Sequence, residues 1–106
     1  MSLRFSKKSF EYYPIDVDFT DQVPLTASSI GSVALSAVEY DRTDEGDTTD
    51  ASSTVLHSTT GSVVDSTKAR ALVKAGTAGK YYKISFKATF DDGSKLQDDV
   101  VMKITG

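Results

Sequence analysis

Residues 79–105 read GKYYKISFKATFDDGSKLQDDVVMKIT, and within them apolar side chains recur at every second position. Tyr82, Ile84, Phe86, Ala88 and Phe90 fall on one face of an extended chain. Tyr81, Lys83, Ser85, Lys87 and Thr89 fall on the other. A period of two is the mark of a strand with one side in a core and the other in water. Val100, Met102 and Ile104 set the same parity for a partner strand beyond the Asp91-Asp92-Gly93 turn. No helix satisfies this spacing, so the segment must be a β-hairpin.

The hairpin's register follows from the requirement that both apolar faces meet on one side. A two-residue Asp92–Gly93 turn would set Phe90 opposite Lys95 and drive charge into the core. A three-residue loop, Asp91 to Gly93, suits a type I turn closed by a left-handed glycine. It places Ile84 against Val100 and Tyr82 against Met102. The next alternative with the right parity would oppose Lys83 and Lys103, which like charge disfavours. Asp98 then falls on the inward face, where a charge near a sheet edge discourages edge-to-edge aggregation.

The rest of the chain divides the same way. Residues 1–11 carry charge without periodicity and read as a flexible arm. Tyr13, Ile15, Val17 and Phe19 define a first strand, and Pro14, which has no amide donor, belongs at the start of that strand or on a sheet edge. Ile30–Tyr40 is a second strand whose parity changes, which predicts a bulge near Ala37–Val38 or a crossing between sheets. Asp41–Ser53 has no large apolar residue and reads as a long exposed loop. Val55–Leu56 and Val63–Val64 read as two brief strands around a Thr60–Gly61 turn. Ala69, Ala71, Val73 and Ala75 alternate with Lys68, Arg70, Leu72 and Lys74. Helix propensity competes there, but Thr67 and Gly76 bound only a short stretch, which favours a strand. Seven strands with turn signals between them predict an all-β, antiparallel two-sheet sandwich of immunoglobulin type spanning residues 12–106.

Composition narrows the function classes. A chain of 106 residues makes one domain with one thin core. It contains no cysteine, so disulfides and thiolate metal sites are excluded. Its formal net charge is −3 with no basic stripe, which argues against nucleic acid as a partner. No apolar run approaches the ~18 residues of a membrane-spanning helix. The first residues have no apolar core of a secretion signal, and the chain has no Asn for N-linked glycosylation.

Few residues invite chemistry. His57 is the single histidine, with Ser53, Ser58 and Asp65 near it in sequence, but a relay is assembled in space and not along the chain. The acidic stretch Glu39–Asp50 places Asp41, Glu45 and Gly46 at positions one, five and six of a calcium loop. Thr43 at position three and Ser52 at position twelve leave out the closing carboxylate. Gly76-Thr-Ala-Gly79 lacks the Gly-Lys-Ser/Thr ending of a phosphate cradle and reads as a turn. Lys83, Lys87 and Tyr81 could form a small outward patch, with Asp99 diagonal to Lys87 for charge pairing. Tyr12, Tyr13, Tyr81 and Tyr82 raise a sugar platform, but parity commits two of them to the core. The expectation is no catalytic residue, no metal, no cofactor and no small-molecule substrate.

Three stretches resemble a known family. Tyr13-Pro-Ile-Asp-Val-Asp18 is similar to an opening Tyr-x-Ile-Asp motif, with Val17 where that motif usually has Trp. Gly76-Thr-Ala-Gly79-Lys-Tyr-Tyr82 is similar to Gly-x-Ala-Gly-x-x-Tyr entering the penultimate strand. The Val-rich Val100-Val101-Met-Lys-Ile104 completes the pattern. Over residues 13–105 the chain resembles small immunoglobulin-like structural proteins of tailed bacteriophages and prophages, of the fiber–tail adaptor type. The resemblance implies a virion part, made in the bacterial cytoplasm, whose partners are other virion proteins or itself in a symmetric ring. The competing expectation is an extracellular adhesion or carbohydrate-binding module of the same fold.

Overall fold

In the computed structural model of the chain the backbone is described for residues 3–23, 25–41 and 44–106, and side chains for 5–23, 25–39 and 49–106. The described chain forms eight strands: β1 (Leu3–Lys7), β2 (Tyr13–Asp18), β3 (Ile30–Asp41), β4 (Asp44–Asp50), β5 (Ser62–Val64), β6 (Lys68–Val73), β7 (Tyr81–Phe90) and β8 (Lys95–Ile104). A 3-10 turn (Thr20–Gln22) lies between β2 and β3, and one α-helical turn, α1 (Ser52–Val55), lies between β4 and β5. The strands make a five-stranded sheet in the order β1-β8-β7-β3-β4 and a three-stranded sheet in the order β2-β6-β5. Their inner faces share one core, with Val33, Leu35, Ile84, Phe86 and Met102 from the larger sheet against Val17, Ala69, Ala71 and Val73 from the smaller. The smaller sheet, β2-β6-β5, thus packs face to face on the larger as a two-layer β-sandwich.

The long hairpin has the register its sequence dictates. Ile84 pairs with Val100 and Tyr82 with Met102, and no slip interrupts the ladder. Phe90 and Ser94 close a three-residue loop, with Phe90 N donating to Ser94 O at 2.8 Å. Gly93 takes a φ of 89°, the left-handed conformation that the third loop position requires. Asp98 stands opposite Phe86 on the inward face and is half-buried.

Four expectations are corrected. The stretch read as an arm contains β1, which pairs with β8 in parallel, so the larger sheet is not wholly antiparallel. Its alternation was hidden because the inward position after Phe5 is Lys7, a charge. The β3 register shifts at two places, between Ile30 and Ser32 against β7 and between Glu39 and Asp41 against β4, while Ala37 and Val38 pair with β7 without a slip. Val38 simply faces outward, and the next inward position is Glu39. Asp41–Ser53 is not a loop throughout, because Asp44–Asp50 pairs with β3 as an edge strand. An edge strand held by backbone bonds needs no apolar face of its own. Val55–Leu56 is not a strand: Val55 ends α1. Consecutive residues of a strand point to opposite faces, whereas both of these are fully buried, and a helical turn running into extended chain allows that.

Two local devices join the layers. After α1, Leu35 N donates to Thr59 O at 2.8 Å and Gly61 N to Val33 O at 2.9 Å, and the chain then enters β5 of the opposite sheet. A Cβ on Gly61 would stand 2.7 Å from Val33 Cγ1 and 3.0 Å from Arg70 O, so the crossing passes through a gap only glycine fits. At the β6–β7 connection the buried Tyr82 hydroxyl accepts from Thr77 N at 2.8 Å and donates to Glu39 Oε1 at 3.1 Å. A tyrosine near the start of this strand that bonds the backbone just upstream corresponds to the tyrosine corner of immunoglobulin-type sandwiches.

Candidate functional site

His57 is exposed, and its ring meets the Tyr12 ring edge-on at 5.9 Å between centroids. Ser58 shares a small depression with it, together with Thr60, Ser62, Arg70 and Leu72. The Ser58 hydroxyl accepts from Thr60 N at 3.1 Å, Asp65 lies 4.0 Å from Lys68 Nζ, and Ser53 stands exposed on α1. The Arg70 guanidinium is held by both carboxylate oxygens of Asp16, at 2.8 and 3.1 Å, which raises its already high pKa. The fold thus gathers polar groups around His57 without lining up hydroxyl, imidazole and carboxylate.

Thr43, and the side chains of Asp41 and Glu45, lie outside the described residues. Described backbone on either side forms the β3–β4 ladder, with Asp41 opposite Asp44. A calcium loop curls its backbone about one centre, whereas the backbone of Glu45 and Gly46 runs extended in β4. Ser52, the twelfth position, is engaged elsewhere: its hydroxyl donates to Asp50 Oδ1 at 2.8 Å and accepts from Ala37 N at 2.9 Å. The Ser52 backbone N–H, donating to Asp50 Oδ1 at 3.1 Å, and then the Ser52 hydroxyl hold the Asp50 carboxyl below its usual range.

Gly76 and Gly79 have φ of 100° and 87°, which is turn chemistry. Among the outward lysines, Lys87 pairs across the ladder with Gln97, and Asp99 accepts from the Gln97 amide at 3.0 Å in place of the expected Lys87. The four tyrosines do not form a platform. Tyr82 is buried, and Tyr13 is half-buried with its phenol pKa raised by burial. Tyr12 lies against His57, and Tyr81 carries the Lys103 ammonium 5.7 Å from its ring centre.

The structure marks residues that the sequence reading passed over. Lys7 is 1% exposed, and its ammonium donates to Ala75 O at 2.7 Å and Lys8 O at 2.8 Å. Burial depresses its pKa, partly offset by the Glu11 carboxylate. The available signal was the alternation of Leu3, Phe5 and Lys7 along the sequence, which places Lys7 at the same parity as two apolar residues. Phe10, in the β1–β2 turn, is 96% exposed, and Leu25, in the β2–β3 connection, is fully exposed. The first turn is tied to Gly106 by Ser9, and the second connection to the β7–β8 turn through Thr26–Asp92 and Ser28–Asp91 hydrogen bonds. The ten residues of β8 separate those anchor points, about 30 Å at the usual rise of a strand. An apolar side chain therefore projects from each end of a body 42 Å long.

These features define a small two-sheet β-sandwich with an apolar residue at either pole. The chain matches no protein-family model and no curated protein sequence.

Proposed function

We propose that this protein is a non-enzymatic structural component of a tailed-phage or prophage virion, a connector or decoration of tail or head that works through protein–protein contact. One observation carries the contact reading: Phe10 and Leu25 project at opposite poles of a sandwich whose ends are braced by hydrogen bonds. Exposed large apolar side chains at braced positions are the chemistry of contact anchors. The virion assignment is supported by the resemblance of residues 13–105 to the fiber–tail adaptor type, and the tyrosine corner at Tyr82 is compatible with its immunoglobulin-like fold. Repetition around a symmetric particle would allow each contact to be weak.

The test is co-sedimentation. Particles from an induced lysate are banded on a gradient and the fractions probed for this chain. Its presence in the particle band at a fixed ratio to the major structural protein is the expected result. A chain found only in the soluble fractions overturns the proposal.

A further inference from the structure

β1 is the terminal strand of the larger sheet and its one parallel-paired member among the described strands. Parallel pairing is slightly the weaker geometry. Along β1 the pairs are Leu3 with Val100, Phe5 with Met102 and Lys7 with Ile104. Only Phe5, half-buried and 6.3 Å from the Tyr13 ring, adds a described apolar side chain to the core. The next inward position carries a buried ammonium, which needs carbonyl partners in compensation. A segment of five residues, Lys8–Tyr12, joins β1 to the opposite sheet. Its turn is held by exposed bonds, Glu11 N to Lys8 O at 3.0 Å and Lys8 N to Glu11 Oε1 at 2.8 Å, which water can replace. That same segment carries Phe10 and the half-exposed Tyr12, neither of which stabilises the monomer's core.

We propose that β1 is an exchangeable strand: in a dimer, each copy's β1 lies beside the other copy's β8, and the two Lys8–Tyr12 segments extend alongside one another with their Phe10 rings buried between them. The occupant is a second copy because the place beside β8 is shaped for this strand. The Lys7 ammonium reaches the Ala75 carbonyl at the β6–β7 turn, where Ala75 is held at a φ of 47°. A strand without lysine at that position would leave this carbonyl unpaired. Exchange preserves the β1–β8 backbone register and gives up the turn bonds, the Ser9–Gly106 tie and the Tyr12–His57 ring contact, so the balance rests on what the hinge gains. Burying two otherwise exposed phenylalanines is that gain. The inference concerns the pairing of two copies and stands without the virion reading; taken with it, Phe10 is the anchor between copies and Leu25 the anchor toward other virion proteins.

The chain's lack of cysteine permits a direct test. Ser6 and Lys103 are outward-facing register partners, so the double variant Ser6→Cys, Lys103→Cys can form a disulfide only where β1 lies on β8. Isotopically heavy and light chains of this variant are mixed, unfolded, refolded at ~1 mM or at ~1 μM, and oxidised. At the high concentration a heavy–light disulfide between residues 6 and 103 is expected, and at the low one intrachain closure. Intrachain closure alone at both concentrations overturns the proposal. Sedimentation equilibrium of the unaltered chain decides the matter independently of the cysteines. A dimer at ~1 mM that Phe10→Ser weakens about tenfold and Ser6→Pro abolishes is expected. A monomer at that concentration, or a dimer indifferent to both changes, overturns it.

Discussion

Replacing Tyr82 by phenylalanine removes one oxygen from the centre of the β6–β7 corner and leaves the ring in place. Two hydrogen bonds are lost, from Thr77 N at 2.8 Å and to Glu39 Oε1 at 3.1 Å. A bond to a carboxylate contributes about 1.5–3 kcal/mol and a neutral one about 0.5–1.5 kcal/mol. Thr77 is exposed and Glu39 half-buried, so water recovers part of both, and a net loss of about 2 kcal/mol is expected. For a domain of this size that lowers Tm by roughly 10 °C and the urea midpoint by roughly 1 M, with an unchanged m-value. Urea unfolding followed by tyrosine fluorescence or far-UV circular dichroism measures it. Pairing the change with Glu39→Ala in a double-mutant cycle isolates the carboxylate contact, with an expected coupling of about 1 kcal/mol. A loss below about 0.3 kcal/mol would refute the corner as a brace between β3 and the β6–β7 turn.

Gly61→Ala forces a methyl group to within 2.7 Å of Val33 Cγ1 and 3.0 Å of a backbone oxygen, so a loss of about 1–3 kcal/mol is expected by thermal melting. An unchanged Tm would mean the crossing into β5 has slack. Phe86, wholly buried between the sheets, should cost about 3–5 kcal/mol on truncation to alanine; a denaturant midpoint equal to the parent's would contradict its place in the core. Acid sensitivity follows from three carboxyls held below the ordinary 3.8: Asp18 by Thr20, Asp50 by Ser52, and Asp92 by Thr26 and Ser94. Their folded pKa values are depressed, so their stabilisation is complete above 3.8 and disappears as pH falls through those lower values. Urea midpoints should therefore drop below pH ~4 and drop less in Asp92→Asn; equal acid slopes in the two proteins would remove Asp92 from that account.

The hairpin was readable because its residues obey a single rule over two long strands, down to the length of its turn. What escaped the sequence did so for particular physical reasons. β4 is held by main-chain bonds to β3, which polar residues make as well as apolar ones. The register shifts of β3 fall at Gly31 and past Glu39, whereas sequence alone placed one at Ala37–Val38, since the inward Glu39 interrupts the apolar series. β1 was concealed by Lys7, whose inward placement becomes sensible only once the distant Ala75 carbonyl is beside it. The site residues were less legible than the fold. His57 drew notice by its chemistry, whereas Phe10 and Leu25 matter for exposure at opposite poles, and exposure is a property of the assembled sandwich.

The central claim is that this chain acts by contact through its two ends. Incorporation of Phe10→Ser, Leu25→Ser and the double variant into particles, against the unaltered chain in the same lysate, tests it most directly. Quantitative mass spectrometry of gradient-purified particles should find each single variant depleted and the double variant nearly absent, while all three melt close to the parent temperature. Full incorporation of the correctly folded double variant would contradict the account.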